Sequence, residues 1–185
     1  LVSCTVADNQ SLNSGGTSGG IDNTGGTLIV SNSTFSGNLS NGSFVAGAIW
    51  SFGSTTIINS TIAHNSAERP SSNASGILNA GGTFSVSNSI IADNVDNANI
   101  PDLVGSFTSG GGNLIGNVGT ATGFTGANDL TGTGASPVNP QIGPLQNNGG
   151  TTLTHELLPA SPAVNRGINS NLPQDIFDLD GDMDT

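Results

Sequence analysis

The sequence has no tyrosine, no lysine and only two arginines, Arg69 and Arg166. Charged residues make up 8% of the chain, which excludes a surface laced with ion pairs and leaves almost nothing to grip a phosphate backbone. The formal net charge of −11 argues the same way, against nucleic acid and against an anionic membrane surface. A single cysteine, Cys4, excludes an internal disulfide. No apolar run approaches the roughly 20 residues of a membrane-spanning helix, so no membrane insertion is expected. No stretch of a dozen residues keeps helical spacing without Gly, Asn or Ser interrupting it. No leader peptide is visible either. The sequence opens in a strand-like run, Leu1-Val2-Ser3-Cys4-Thr5-Val6, and stops in an Asp-rich one, and it reads as an excerpt of a longer protein.

Gly, Ser, Thr and Asn stand in place of the missing charges, and hydrophobic residues recur in short β-branched runs. Disordered chains lack such spacing; many short strands joined by turns have it. The runs repeat. Ser3-Cys4-Thr5-Val6-Ala7-Asp8-Asn9 returns as Asn32-Ser33-Thr34-Phe35-Ser36-Gly37-Asn38, as Asn59-Ser60-Thr61-Ile62-Ala63-His64-Asn65 and as Asn88-Ser89-Ile90-Ile91-Ala92-Asp93-Asn94. Ile21, Ile49 and Ile77 keep the same period of about 28, as do Thr27, Thr55 and Thr83 behind their glycines. Alternating segments such as Phe84-Ser85-Val86-Ser87 choose strands over helices.

Stacked turns place each strand beside its copy one coil away, about 4.8 Å distant and parallel. Val30, Ile57 and Val86 are then expected to line one interior column, Ile21, Ile49 and Ile77 a second, and Phe35, Ile62 and Ile91 a third. Asn32, Asn59 and Asn88 are expected to form an internal amide ladder at a bend, satisfying polar groups where backbone pairing stops.

These residues resemble the right-handed parallel β-helix repeats of bacterial surface and secreted proteins, a shape shared with pectate lyases. Asn139-Pro140-Gln141-Ile142-Gly143-Pro144-Leu145-Gln146-Asn147-Asn148-Gly149-Gly150, running on to Thr154-His155-Glu156-Leu157-Leu158-Pro159 and Ala160-Ser161-Pro162-Ala163-Val164-Asn165-Arg166-Gly167, resembles the choice-of-anchor module that follows such repeats. The module usually runs on past the point where this chain stops, so it looks truncated. The resemblance implies an all-β solenoid at a cell surface and fixes no activity. The expected organisation is regular coils over residues 1–116, a Gly/Thr-rich surface excursion over 117–137, irregular final coils over 138–168, and an Asp-rich loop or tail over 169–185.

The sharpest chemical feature is Asp178, Asp180, Asp182 and Asp184. Alternate carboxylates on a tight turn converge on a hard cation, and calcium is the expected one. Met183 departs from the glycine that calcium loops carry there, and a solvated acidic tail is the plainer reading. His155 and Glu156 with Arg166 could in principle serve as acid and base, but a structural role fits their segment better. Asp8, Asp22, Asp93, Asp96 and Asp102 are scattered, with no local motif for a two-carboxylate glycosidase site. Trp50 and Phe52 lie in one strand-like run, where an exposed ring could stack on a sugar or pack under a loop.

The function expected from this is a non-enzymatic extracellular or cell-surface structural or adhesive β-helix module. Its partners are copies of itself, joined end to end into filaments through the solenoid ends, or surface glycans. The alternative is a polysaccharide-binding or polysaccharide-degrading protein of pectate-lyase-like shape.

Overall fold

The computed structural model describes residues 1–12, 15, 17–43, 45–68, 74–94 and 101–172. The fold is an all-β parallel solenoid of about four turns, with coils of about 27 residues. Four faces run along it. Face A stacks Thr27–Ser31, Ser54–Ile58, Phe84–Ser87 and Thr108–Gly111. Face B stacks Thr5–Ala7, Thr34–Ser36, Thr61–Ala63, Ile90–Ala92, Leu114–Ile115 and Leu130–Thr131. Face C is shorter, with Gln10–Ser11, Leu39–Ser40 and Ser66–Ala67, and face D holds Ile21–Asn23, Ile49–Ser51, Ile77–Asn79 and Leu103–Val104. Every pairing within these faces is parallel.

Side chains alternate across a strand, so every second residue of a face points inward and meets its equivalents from neighbouring coils. The three expected columns are all present. Val30, Ile57 and Val86 are in register and buried. Ile21, Ile49 and Ile77 are in register, with Ile21 half-buried at the first coil. Phe35, Ile62 and Ile91 are in register, and the column runs on through Ile115. Phe84 and Phe107 add an edge-to-face pair with centroids 5.0 Å apart.

Two register details differ from the sequence expectation. Thr27, Thr55 and Thr83 do not share a column. Thr27 pairs with Ser54, and Thr83 Oγ1 donates to Ser54 Oγ at 3.0 Å, while Thr55 lies between Leu28 and Phe84. The corner after Ile49–Ser51 is one residue shorter than the corner after Ile21–Asn23, which moves the next strand by one position.

The second correction concerns the amide ladder. Asn32, Asn59 and Asn88 form none: they are corner residues in the left-handed conformation, with φ of 49°, 49° and 48°. Asn tolerates that conformation better than other side-chain-bearing residues. Ser3, Gly112 and Asn128 take the same corner in other coils, again at positive φ. The turn sends the following residue inward instead. Cys4 N–H donates to Ser33 Oγ, Ser33 N–H to Ser60 Oγ, Ser60 N–H to Ser89 Oγ and Ser89 N–H to Asn113 Oδ1, all at 3.1–3.2 Å. An amide ladder lies at the next corner, in exposed Asn9 and buried Asn38, Asn65 and Asn94. Each Nδ2 there donates to the next Oδ1 at 2.8 Å. Its last acceptor is Asp102 Oδ1, again at 2.8 Å from Asn94 Nδ2.

Within residues 117–137 the chain makes one shortened step: Leu130 stacks on Leu114 and Ser106 bridges Thr122, each 16 residues apart. Residues 138–168 follow. Ile142–Gln146 and Thr154–Leu157 make an antiparallel pair, and this segment runs back along the outside of the solenoid. Of residues 169–185, the described part is a single 3-10 turn at Asn169–Asn171 followed by Leu172.

Candidate functional site

The returning segment crosses the outer side of face B and is pinned at several points. Thr5 Oγ1 donates to Leu153 O at 2.8 Å. His155 sits 8% exposed, with Nδ1 2.8 Å from Gly143 O and Nε2 3.0 Å from Ser36 Oγ. Its ring meets His64 edge-on at 5.0 Å. Farther along, Asn88 pairs with Ile168, and Asn171 Nδ2 donates to Gly110 O at 2.8 Å. Between these pins the segment stands off the face and leaves a cleft of about 310 Å³. Asn59, Thr61 and Leu114 form its floor, while Leu157, Arg166 and Leu172 come from the returning segment.

Burial lowers the His155 pKa, the Gly143 hydrogen bond opposes that shift, and nearby His64 adds to it. His155 is therefore a neutral clamp between two chain segments, with both ring nitrogens occupied. Glu156 is exposed while its neighbour is buried, as strand alternation requires, so the two do not converge as an acid and base pair. Arg166 lies in the same cleft as His155, with Nε donating to Pro162 O at 2.7 Å.

The carboxylates stay scattered. Asp8 and Asp93 occupy left-handed corners. Asp93 is raised by burial, with nearby His64 opposing. Asp22 faces Trp50 across face D. Asp102 is 3% exposed, and its pKa is raised to about 6 by burial despite hydrogen bonds from Asn94 and Asn117. It reaches the amide ladder from the start of a face D strand, a non-equivalent position that the sequence repeat does not reveal. Asp96 and Arg69 lie outside the described residues, as do Asp178, Asp180, Asp182 and Asp184, the proposed calcium ligands. Among the described residues no three His, Cys, Asp or Glu side chains gather into a metal-binding group.

Trp50 and Phe52 stack, with centroids 6.3 Å apart and planes 14° from parallel. Trp50 packs on Ala46, Ala74 and Leu78 along the outside of face D. Phe52 projects at the corner, 56% exposed.

The N-terminal end of the solenoid is the other distinctive surface. Thr5–Ala7, Gln10–Ser11 and Ile21–Asn23 are edge strands of their faces, all at this end. The core columns finish there in half-buried Val6, Ile21 and Leu28. Leu1, Val2, Leu12 and Ile29 are exposed around them.

Searches of protein-family models, curated proteins and solved structures found no match to this chain.

Proposed function

We propose that this chain is an extracellular or cell-surface structural and adhesive β-solenoid, associating axially through its N-terminal coil. The observation that carries the reading is the first coil's edge: among the described residues Thr5–Ala7, Gln10–Ser11 and Ile21–Asn23 each pair on one side only, around half-buried Val6, Ile21 and Leu28. Backbone donors and acceptors on such an edge template a further parallel coil, and apolar column ends gain from being covered. The resemblance of the repeat residues to right-handed β-helices of bacterial surface proteins supports the coil sense, that of residues 139–167 to choice-of-anchor modules supports the surface location, and calcium held by Asp178, Asp180, Asp182 and Asp184 belongs to the same proposal.

Electron microscopy and light scattering test it, on the full chain beside Leu12→Lys/Ile29→Lys. The expected result is axial oligomers or filaments that the paired substitution disperses. Single rods at high concentration, unchanged by the substitution, would refute axial self-association. Calorimetry with and without chelator tests the calcium proposal; no heat and no change in melting would end it.

A second reading, glycan binding, is favoured by Phe52, an exposed ring backed by partly buried Trp50 in a nearly parallel stack, because an exposed aromatic face suits the apolar face of a sugar. A neutral and acidic glycan panel compared with Phe52→Ser decides it, and binding that ignores the substitution removes the reading.

A further inference from the structure

Asn32, Asn59 and Asn88 hold one corner in three successive coils, with φ values within a degree of one another. Asn88 uses its carboxamide as a peptide group: Nδ2 donates to Ile168 O at 3.0 Å, and Oδ1 accepts from Ile168 N–H at 2.9 Å. This two-bond ring reproduces the pairing between neighbouring strands, and it fastens the returning segment to the corner.

One coil towards the N-terminus, Asn59 has the same backbone conformation but no such occupant. Its Oδ1 is buried without a hydrogen-bond partner among the described residues, and Asn59 lines the 310 Å³ cleft. Burying an amide oxygen unpaired is costly, and polar sites of this kind are normally satisfied. The cleft also holds Arg166. Its Nε is occupied by Pro162 O, and no carboxylate pairs with it among the described residues. Leu114, Leu157 and Leu172 supply apolar walls.

We propose that this cleft receives an extended segment of a partner polypeptide carrying a carboxylate side chain, docked by Asn59 as Asn88 docks Ile168. A backbone N–H of the segment donates to Asn59 Oδ1 and a backbone carbonyl accepts from Nδ2. The carboxylate meets the Arg166 guanidinium, and an apolar side chain packs among the leucines. The site is independent of the solenoid's ends, so failure of axial association leaves it standing, and the reverse holds too.

The probe is a blocked seven-residue peptide alternating leucine and aspartate, compared with its leucine–lysine counterpart, titrated into the full chain by calorimetry and amide-resolved NMR. The informative substitution is Asn59→Gly. Gly112 holds the equivalent corner in a later coil, so the backbone conformation survives while the carboxamide is removed. Arg166→Gln removes the charge. The expected result is binding of the aspartate peptide alone, with shifts at Thr61 and Leu157, weakened about tenfold by either substitution. Equal binding of both peptides, or indifference to Asn59→Gly, overturns the proposal. So does absence of binding. Binding that emerges only in Asp178→Asn/Asp180→Asn/Asp182→Asn/Asp184→Asn would show that the chain's own acidic run fills the cleft, which also overturns an external partner.

Discussion

Truncating Asn65 to alanine should test whether the buried amide ladder holds the coils together. Asn65 is fully buried. Its Oδ1 accepts from Asn38 N–H at 3.0 Å and from Asn38 Nδ2 at 2.8 Å. Its Nδ2 donates to Asn94 Oδ1 at 2.8 Å and to the carbonyls of Phe35 and Ala63 at 3.0 Å. Removing the carboxamide strands two donors on Asn38 where water has no access. At ~1–3 kcal/mol for each buried unsatisfied group, the loss is about 4 kcal/mol. For a chain of this size that is a fall of roughly 8–16 °C in Tm. Asn9 is the built-in control. It begins the same ladder but is exposed, and Asn38 Oδ1 keeps the Asn9 backbone N–H when the Asn9 side chain goes. Asn9→Ala should cost under ~1 kcal/mol, because its lost partners reach water. Urea unfolding followed by the fluorescence of Trp50, the single tryptophan, reads both. Equal costs for the two substitutions, or a loss below ~1 kcal/mol for Asn65→Ala, would refute the reasoning.

Further predictions follow the same logic. The folded state raises Asp102 from 3.8 to about 6, so it binds this proton more tightly than the unfolded chain does. The stability contributed by Asp102 is then greatest below pH 4 and falls as pH rises through 6, by about 3 kcal/mol at 1.36 kcal/mol per pKa unit. Asp102→Asn should flatten the urea midpoint across that window, and an unchanged slope would place the pH dependence elsewhere. Gly47→Ala puts a Cβ 2.0 Å from Ser75 O, whereas Gly150→Ala meets nothing within 4 Å. The first should cost above ~2 kcal/mol and the second close to nothing by thermal melting. Asn88→Gly keeps the corner and removes both bonds to Ile168, so hydrogen exchange at the Ile168 amide should accelerate at least tenfold while the face B amides stay protected.

Much of the coil was legible in the residues. Every inward position of a strand repeats in the next coil, so the spacing of Ile49, Ile57, Ile62 and their equivalents predicts which side chains stack. The alternation of period two also predicts which of them face the core. The polar interior was harder to assign, because Asn32, Asn38 and Ser33 all repeat at the same period. Periodicity alone cannot say which of three repeating polar residues turns inward. That depends on the left-handed φ at Asn32 and Gly37, and neither angle is written in the spacing.

The sequence by itself determined the parallel coil, its period and its apolar columns, because these follow from local alternation copied from turn to turn. Only the tertiary structure decided what lies outside that copying. The one-residue shortening before Ser54 moved Thr55 out of the threonine column. Asp102 entered the amide ladder from the face D position that Gly76, Ala48 and Gly20 hold in earlier coils, away from the asparagine corner. Residues 138–172 turned back along face B, bringing Arg166 and Leu157 opposite Asn59, some hundred residues earlier in the chain. Contacts at that separation obey no repeat; they depend on how far the returning segment reaches and on which corner amides stand ready to bind it.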